Sequence, residues 1–310
     1  MLDKVYIELS DICGLQCSFC PQSQRVDSRG IMSVEDFRHI CQSLSTPKRL
    51  TNLVCLHILG DPLAVKNLDE YLKVLDEFAL RLDLVSNAKF LRNHHFALLC
   101  QKPIHQVAFS LSAFVDSQKS FNQYYLERIL AFCKFCMQQK SEIFIHLRLQ
   151  EKHLNGHLMG LEDKNPITQE ILEYISRAFD MDIKAMLTSL ESKQGKARLA
   201  YKIFLTKSRD FEWGALDSKN DTPQSPSLKT TNLYCYGVHK QIGILSNGVV
   251  VPCCIDAFGE IALGNIKQNS LSAILHSPLA KDIAQNFKIG KAIMPKCQQC
   301  DYARGLQINT

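Results

Sequence analysis

No uninterrupted apolar run in these 310 residues is long enough to cross a bilayer, and the N-terminal MLDKVYIELSD carries acids where a signal peptide would be hydrophobic. Both absences lead to the expectation of a cytoplasmic protein, in which thiols stay reduced. The chain has no internal repeat beyond a strand–helix alternation and no low-complexity tract, which excludes solenoids and long disordered arms. A strong charge of one sign is missing as well. The net charge of +5 is a mild bias that would suit an anionic substrate or a nucleic acid, and scattered solvated lysines account for it equally. Apolar content of 46% and charged content of 22% are those of an ordinary globular protein with ample core. Cysteine is what the chain has in quantity. Thirteen of them in a reducing compartment argue for metal rather than a disulfide framework.

Strand-like runs recur at KVYIELS (4–10), LVCLHIL (53–59), RLDLVSN (81–87), QVAFSLS (106–112) and EIFIHLRLQ (142–150), with a weaker one at DIKAMLT (182–188). Between them lie segments of helical period. SVEDFRHICQSL opens on Ser33 with Asp36 three residues on, and NLDEYLKVLDEF opens on Asn67 with Glu70 in the same relation, a capping-box pattern. SFNQYYLERILAFCKFC and ITQEILEYISRAF read as longer amphipathic helices. Strand then helix, repeated about six times, predicts parallel strands joined by helical crossovers. Strand parity favours a barrel over an open sheet. Val5, Ile7 and Leu9 oppose Tyr6, Glu8 and Ser10, and Ile145, Leu147 and Leu149 oppose Phe144, His146 and Arg148. One apolar and one partly polar face fits helices outside and a polar ligand inside.

The pattern changes after about residue 190. The stretch KSRDFEWGALDSKNDTPQSPSLKTTN is rich in turn-forming residues and reads as a linker. The expected division is a barrel core over 1–200, a linker over 201–230 and a small Cys-rich domain over 231–310. Two cysteine groups need an explanation. In DICGLQCSFCP, Cys13, Cys17 and Cys20 follow the first strand directly, at the strand end that carries chemistry in βα barrels. Three thiolates can hold three corners of a [4Fe–4S] cube and leave the fourth iron open. A three-cysteine zinc site is the alternative, although zinc cysteines are usually spaced in pairs. In the C-terminal stretch, Cys235, Cys253, Cys254 and the pair Cys297 and Cys300 could hold either a cluster or structural zinc.

CGLQCSFC, with Phe19 before the last cysteine and Pro21 after it, resembles the signature of the radical S-adenosylmethionine (SAM) superfamily. The resemblance implies an open-site [4Fe–4S] cluster on Cys13, Cys17 and Cys20 that chelates SAM, reductive cleavage to a 5′-deoxyadenosyl radical, and hydrogen abstraction from a substrate. It extends along the chain in the expected order. LGDPL (59–63) is similar to the family's Gly-Gly-Glu-Pro segment, departing from it at Leu59 and Asp61; Gly60 and Asp61 are carried over as SAM-binding. Ser86 and Asn87 match the polar end of the third strand, and Ser110 and Ser112 fall where the fourth supplies polar groups. Phe19 is expected beside the cofactor, and Arg148 opposite its carboxylate. The alternative for Arg148 is an ion pair with Glu8.

The order Cys235, Gly248, Cys253, Cys297-x2-Cys300 is similar to a SPASM domain in its shortened Twitch form, with one auxiliary [4Fe–4S] cluster. Cys254 could replace Cys253 as ligand or act as a free thiol. Together the resemblances imply a partial (β/α)6 TIM barrel followed by a Twitch-like domain. The implied activity is an oxidation of a small molecule or of a peptide or protein side chain, with the auxiliary cluster accepting the electron. A flavodoxin or ferredoxin would supply electrons. Modification of a nucleic acid or phosphorylated substrate, and a non-catalytic iron–sulfur protein, stay as alternatives. The chain starts almost at its first strand, so a preceding peptide-recognition domain is not expected. Cys133 and Cys136 read as buried apolar residues on a helix, as do the lone Cys41, Cys55 and Cys100. His57 and His146 lie in strands and read as core histidines, His94 and His95 as helix-surface residues. Tyr6 and Glu8 are candidates for contacting substrate.

Overall fold

Strands form where β-branched residues and leucines crowd together between turn residues, and helices where apolar residues recur every three or four positions behind a capping side chain. The computed structural model describes residues 1–24, 27–118, 122–150, 166–209 and 233–307. In chain order they form β1 (Lys4–Ile7), α1 (Val34–Ser45), β2 (Leu53–Cys55), α2 (Leu68–Glu77), β3 (Arg81–Ser86), α3 (His94–Leu99), β4 (Ile104–Ser110), α4 (Leu111–Gln118) and α5 (Gln123–Gln138). Next come β5 (Phe144–Gln150), α6 (Pro166–Phe179), α7 (Ile183–Glu191), β6 (Lys196–Ala200), β7 (Ile203–Ser208), β8 (Gln241–Ile244), β9 (Val249–Val251) and β10 (Gly264–Asn265). The chain ends in α8 (Leu271–Leu275), α9 (Pro278–Lys288), α10 (Pro295–Gln298) and α11 (Asp301–Gln307). Among the described residues no helix is long and apolar enough to cross a membrane.

Two compact units divide these elements. The first takes in Met1–Asp11, Phe19–Leu59 and the described part of Phe211–Thr310. Its strands run in the order β10-β9-β8-β1-β2. β1 lies parallel to β2 (Val5↔Val54) on one side and to β8 (Val5↔Ile242, Ile7↔Ile244) on the other. The C-terminal segment therefore does not stand alone: β8 borders the first strand of the chain. Val5 and Ile7 are wholly buried between these neighbours. On α1, Ser33 accepts a hydrogen bond from the Asp36 amide at 3.0 Å, a cap that stabilises a helix by about 1 kcal/mol.

The second unit takes in Ile12–Ser18 and the described part of Gly60–Asp210. Its strands run β3-β4-β5-β7-β6, parallel except for the β6–β7 hairpin. β5 keeps the expected alternation, with Ile145, Leu147 and Leu149 buried and Phe144, His146 and Arg148 half-buried. Cys133 and Cys136 lie in the core face of α5, as read from the sequence.

Four local expectations are corrected. Residues 182–188 are helix, because Asp182 caps Ala185 N at 2.8 Å and Met186 and Leu190 share one buried face at an i,i+4 spacing. The last parallel strand is instead β7, so paired structure continues past residue 201, where the linker was expected to begin. Most of that linker lies outside the described residues. β4 ends at Ser110, and Leu111 opens a helix that carries Ser112. Asn67 stands at the start of α2 without a side-chain capping bond.

Candidate active site: two cysteine groups

The loop Ile12–Ser18 is held in the second unit by a series of hydrogen bonds. Gly14 stands at φ +76°, and a Cβ there would come 2.7 Å from the Phe90 ring, so both backbone and space demand glycine. The Ile12 carbonyl accepts from Asp61 N at 2.8 Å. Cys13 Sγ accepts from Asn87 Nδ2 at 3.0 Å, and Cys17 Sγ donates to the Ala113 carbonyl at 3.2 Å. Gln16 N donates to Ser117 Oγ, and Ser18 donates to Asp116 twice, from N at 2.5 Å and from Oγ at 2.7 Å. Asp116 did not stand out in the sequence, because the first residues of α4, Leu111 and Ser112, were read as the end of a strand and those after them were assigned to no element.

Asp61 is 2% exposed, and its carboxylate is occupied within the protein. Leu63 N donates to Oδ1 at 2.9 Å, Asn87 N to Oδ2 at 2.6 Å, and Ser86 Oγ reaches both oxygens at 2.9–3.0 Å. Burial pushes its pKa up to about 6, against the pull of the bonds from Asn87, Leu63 and Ser86. Gly60, beside it, has φ +75°. Gly60, Asp61, Ser86 and Asn87 are thus gathered around the Cys13 end of the loop. Ser110 and Arg148 are paired across β4 and β5. Ser112 faces elsewhere, its Oγ accepting from Gln150 N at 2.6 Å. His146 stacks on Phe204 with ring centroids 5.4 Å apart, and burial pushes its pKa down to about 4. His95 is buried rather than on the surface; its Nδ1 accepts from Arg92 N, and burial pushes its pKa down to about 4.

In the first unit, Glu8 is fully buried and pairs with Arg29, not with Arg148. Arg29 Nε and Nη2 reach the two carboxylate oxygens at 2.8 and 2.5 Å. The same carboxylate accepts from Leu59 N and from Ser246 N and Oγ. A charge fork buried with every oxygen bonded is structural, which removes Glu8 as a free substrate contact. Phe19 and Cys20 belong to this unit and are half-buried. Cys20 packs against the buried cluster that contains Tyr6, Cys55, Ile58 and Leu59, and burial raises its thiol pKa. Cys254 packs on the same cluster, hydrogen-bonded to Tyr6, whose hydroxyl is pushed far up by burial and by that thiol.

The C-terminal cysteines fall into two environments. Cys235, Cys253, Cys297 and Cys300 line one cavity of about 30 Å³, with Pro252, Ile255, Ile261 and Phe287 among its walls. Cys254 does not line it. Burial raises the thiols, Cys235 to about 11, Cys297 to about 12, and Cys253 well above its usual value, so ionisation there needs a cationic guest. Lys296 also lines the cavity, held by Asp256 at 3.2 Å and Glu260 at 2.5 Å. Among the described residues no three Cys, His, Asp or Glu converge on one metal ion. A zinc site needs every sulfur within about 2.3 Å of one atom.

Residues 235–301 match the SPASM family, an iron–sulfur cluster-binding domain. Among curated proteins none matches the chain by sequence. Solved structures do match. BtrN in complex with AdoMet and 2-DOIA superposes with a TM-score of 0.57 at 16% identity, over 97% of this chain and 93% of its own. SuiB of Streptococcus suis bound to precursor peptide SuiA gives 0.57 at 15%, over 96% and 76%. The enzyme anSMEcpe with bound AdoMet gives 0.57 at 13%, over 98% and 84%. All three are radical SAM enzymes with SPASM or Twitch domains. The chain shares their fold, an α/β partial barrel with a Cys-rich SPASM domain toward its C-terminus.

Proposed function

We propose that this protein is a radical SAM oxidoreductase that oxidises a small molecule or a peptide or protein side chain. In this reading Cys13, Cys17 and Cys20 hold an open-site [4Fe–4S] cluster, while Cys235, Cys253, Cys297 and Cys300 hold an auxiliary one. Held there with SAM, the first cluster would supply the radical chemistry needed for hydrogen abstraction from the substrate. The observation that carries the proposal is the four-thiol cavity inside a matched iron–sulfur domain. Four protein ligands leave an auxiliary cluster no open iron for substrate, so its role is to take the electron left on the substrate. Neighbours bound to AdoMet, to 2-DOIA and to a precursor peptide support both cofactor and substrate classes.

The chain's own residues do the positioning. Gly60 and Asp61 shape the segment that faces the cofactor's amino group, with Asp61 acting through its bonds to Ser86 and Asn87 rather than by direct contact. Phe19, Ser110 and Arg148 are the residues proposed to line the cofactor and its carboxylate. Ser112 holds the end of β5 and so acts on the site through Gln150. A flavodoxin- or ferredoxin-type donor is the expected reductant. The test is anaerobic reconstitution, iron and sulfide counting, and addition of dithionite and SAM. About eight irons per chain with 5′-deoxyadenosine formed supports the reading; zinc in place of iron, or full iron without SAM cleavage, overturns it.

A further inference from the structure

We infer that Asn87 sets the reduction potential of the N-terminal cluster by donating a hydrogen bond to the Cys13 sulfur. This rests on the reading of Cys13 as a cluster ligand and goes beyond it, because it reassigns Asn87 from the cofactor to the thiolate.

The bond is 3.0 Å from Nδ2 to Sγ. An amide can be turned over, so which atom faces the sulfur has to be settled by its other partner. Lys89 N, which can only donate, meets the other amide atom at 2.8 Å. That atom must be the oxygen, and the NH2 group therefore faces Cys13. Asn87 is 7% exposed, and its main-chain N–H, its main-chain carbonyl and its side-chain nitrogen are held at three further points. Its own N–H is bonded to Asp61 Oδ2 at 2.6 Å. Its carbonyl accepts from Tyr125 Oη at 2.8 Å. Tyr125 is stacked at 3.7 Å on Phe114, and burial pushes its pKa far up, so the phenol stays a donor. The second Nδ2 contact, to the Cys13 carbonyl at 3.4 Å, holds the loop backbone against the same group.

A donor built this rigidly against a ligating sulfur has one electrostatic consequence. Adding an electron to an iron–sulfur cluster increases the negative charge on its thiolates, and an N–H aimed at one of them stabilises the reduced form more than the oxidised form. Asn87 therefore raises the potential, making the electron easier to load. Asp61 and Tyr125 are positioning residues for it, holding its backbone on either side.

The experiment is an EPR-monitored redox titration of the reconstituted full-length protein, with and without SAM. The signal that changes on SAM addition identifies the open-site cluster. Asn87→Leu removes the donor at similar volume, and about a tenfold weaker reduction equilibrium is expected, which for one electron is about 59 mV lower. Asn87→Asp keeps the shape but sets an anion against the sulfur, and the potential should fall further. Asn87→Leu with full iron and the wild-type potential overturns the inference. Should that variant load less iron, Asn87→Asp and Tyr125→Phe give the same reading, and no shift in either overturns it. A wild-type protein with no SAM-responsive signal, together with full iron in Cys13→Ala, would instead strike down the underlying assignment of the loop.

Discussion

The two cysteine groups are built by opposite means. In the C-terminal group, thiols from before β8, after β9 and around α10 come together only through folding, and line a largely apolar cavity. In the N-terminal group, three thiols lie within eight residues of chain, stay half-buried, and have hydrogen-bonding groups supplied to two of them. A closed site needs a shaped cavity and nothing more from its surroundings. A site meant to bind another molecule needs ligands that are local and a surrounding shell that holds them in place.

The largest test of this contrast is ligand removal. Cys297→Ala should cost the reconstituted protein about four of its eight irons, whereas Cys254→Ala, one residue from a ligand, should cost none; loss of iron from the latter would break the distinction between the two neighbours. Cys13→Ala should remove a similar amount of iron and abolish 5′-deoxyadenosine formation, while Cys297→Ala should keep some SAM cleavage without product oxidation. Next in size, Arg29→Met should lower stability by about 3–5 kcal/mol because it strands the buried Glu8 charge. Glu8→Gln combined with Arg29→Met should recover part of it, both read by denaturant unfolding. Asp116→Ala, which takes a charged acceptor from Ser18, should cost about 1.5–3 kcal/mol and speed iron loss to a chelator from the N-terminal group alone.

The smallest effect is a pH slope. His95 and His146 have folded pKa values pushed down to about 4, so below pH 6.5 the unfolded chain binds more protons than the folded one. Their contribution is complete above about pH 6.5 and is lost as pH falls toward 4. His146→Phe should flatten that slope in acid unfolding curves.

Much of this was legible in the sequence. The cysteine spacing marked out both cysteine groups, and period-two patterning carried β5 and the barrel-like alternation. What escaped had physical reasons. DIKAMLT offers apolar residues that suit a strand or a helix, and only the capping bond from Asp182 decides. Leu111 and Ser112 continue the alternation of β4, so nothing local marks the turn into α4. The Glu8–Arg29 fork joins residues 21 apart through a segment without periodicity. Asn87 and Cys13 were each singled out, but the bond between them was not, because no spacing rule connects residue 87 with residue 13.

The pairing of β1 with β8 has a consequence for how the chain is made. As residues emerge from a ribosome, β1 meets β2 early, yet its other edge stays bare until residues 241–244 have been synthesised. For most of translation Val5 and Ile7 flank an unpaired, apolar strand edge, the kind of surface that recruits chaperones or mispairs with a neighbouring nascent chain. Glu8 waits equally long for Ser246. Yield of soluble protein should therefore depend on how quickly the last quarter of the chain follows the first, and slowing synthesis between them would be a way of losing it.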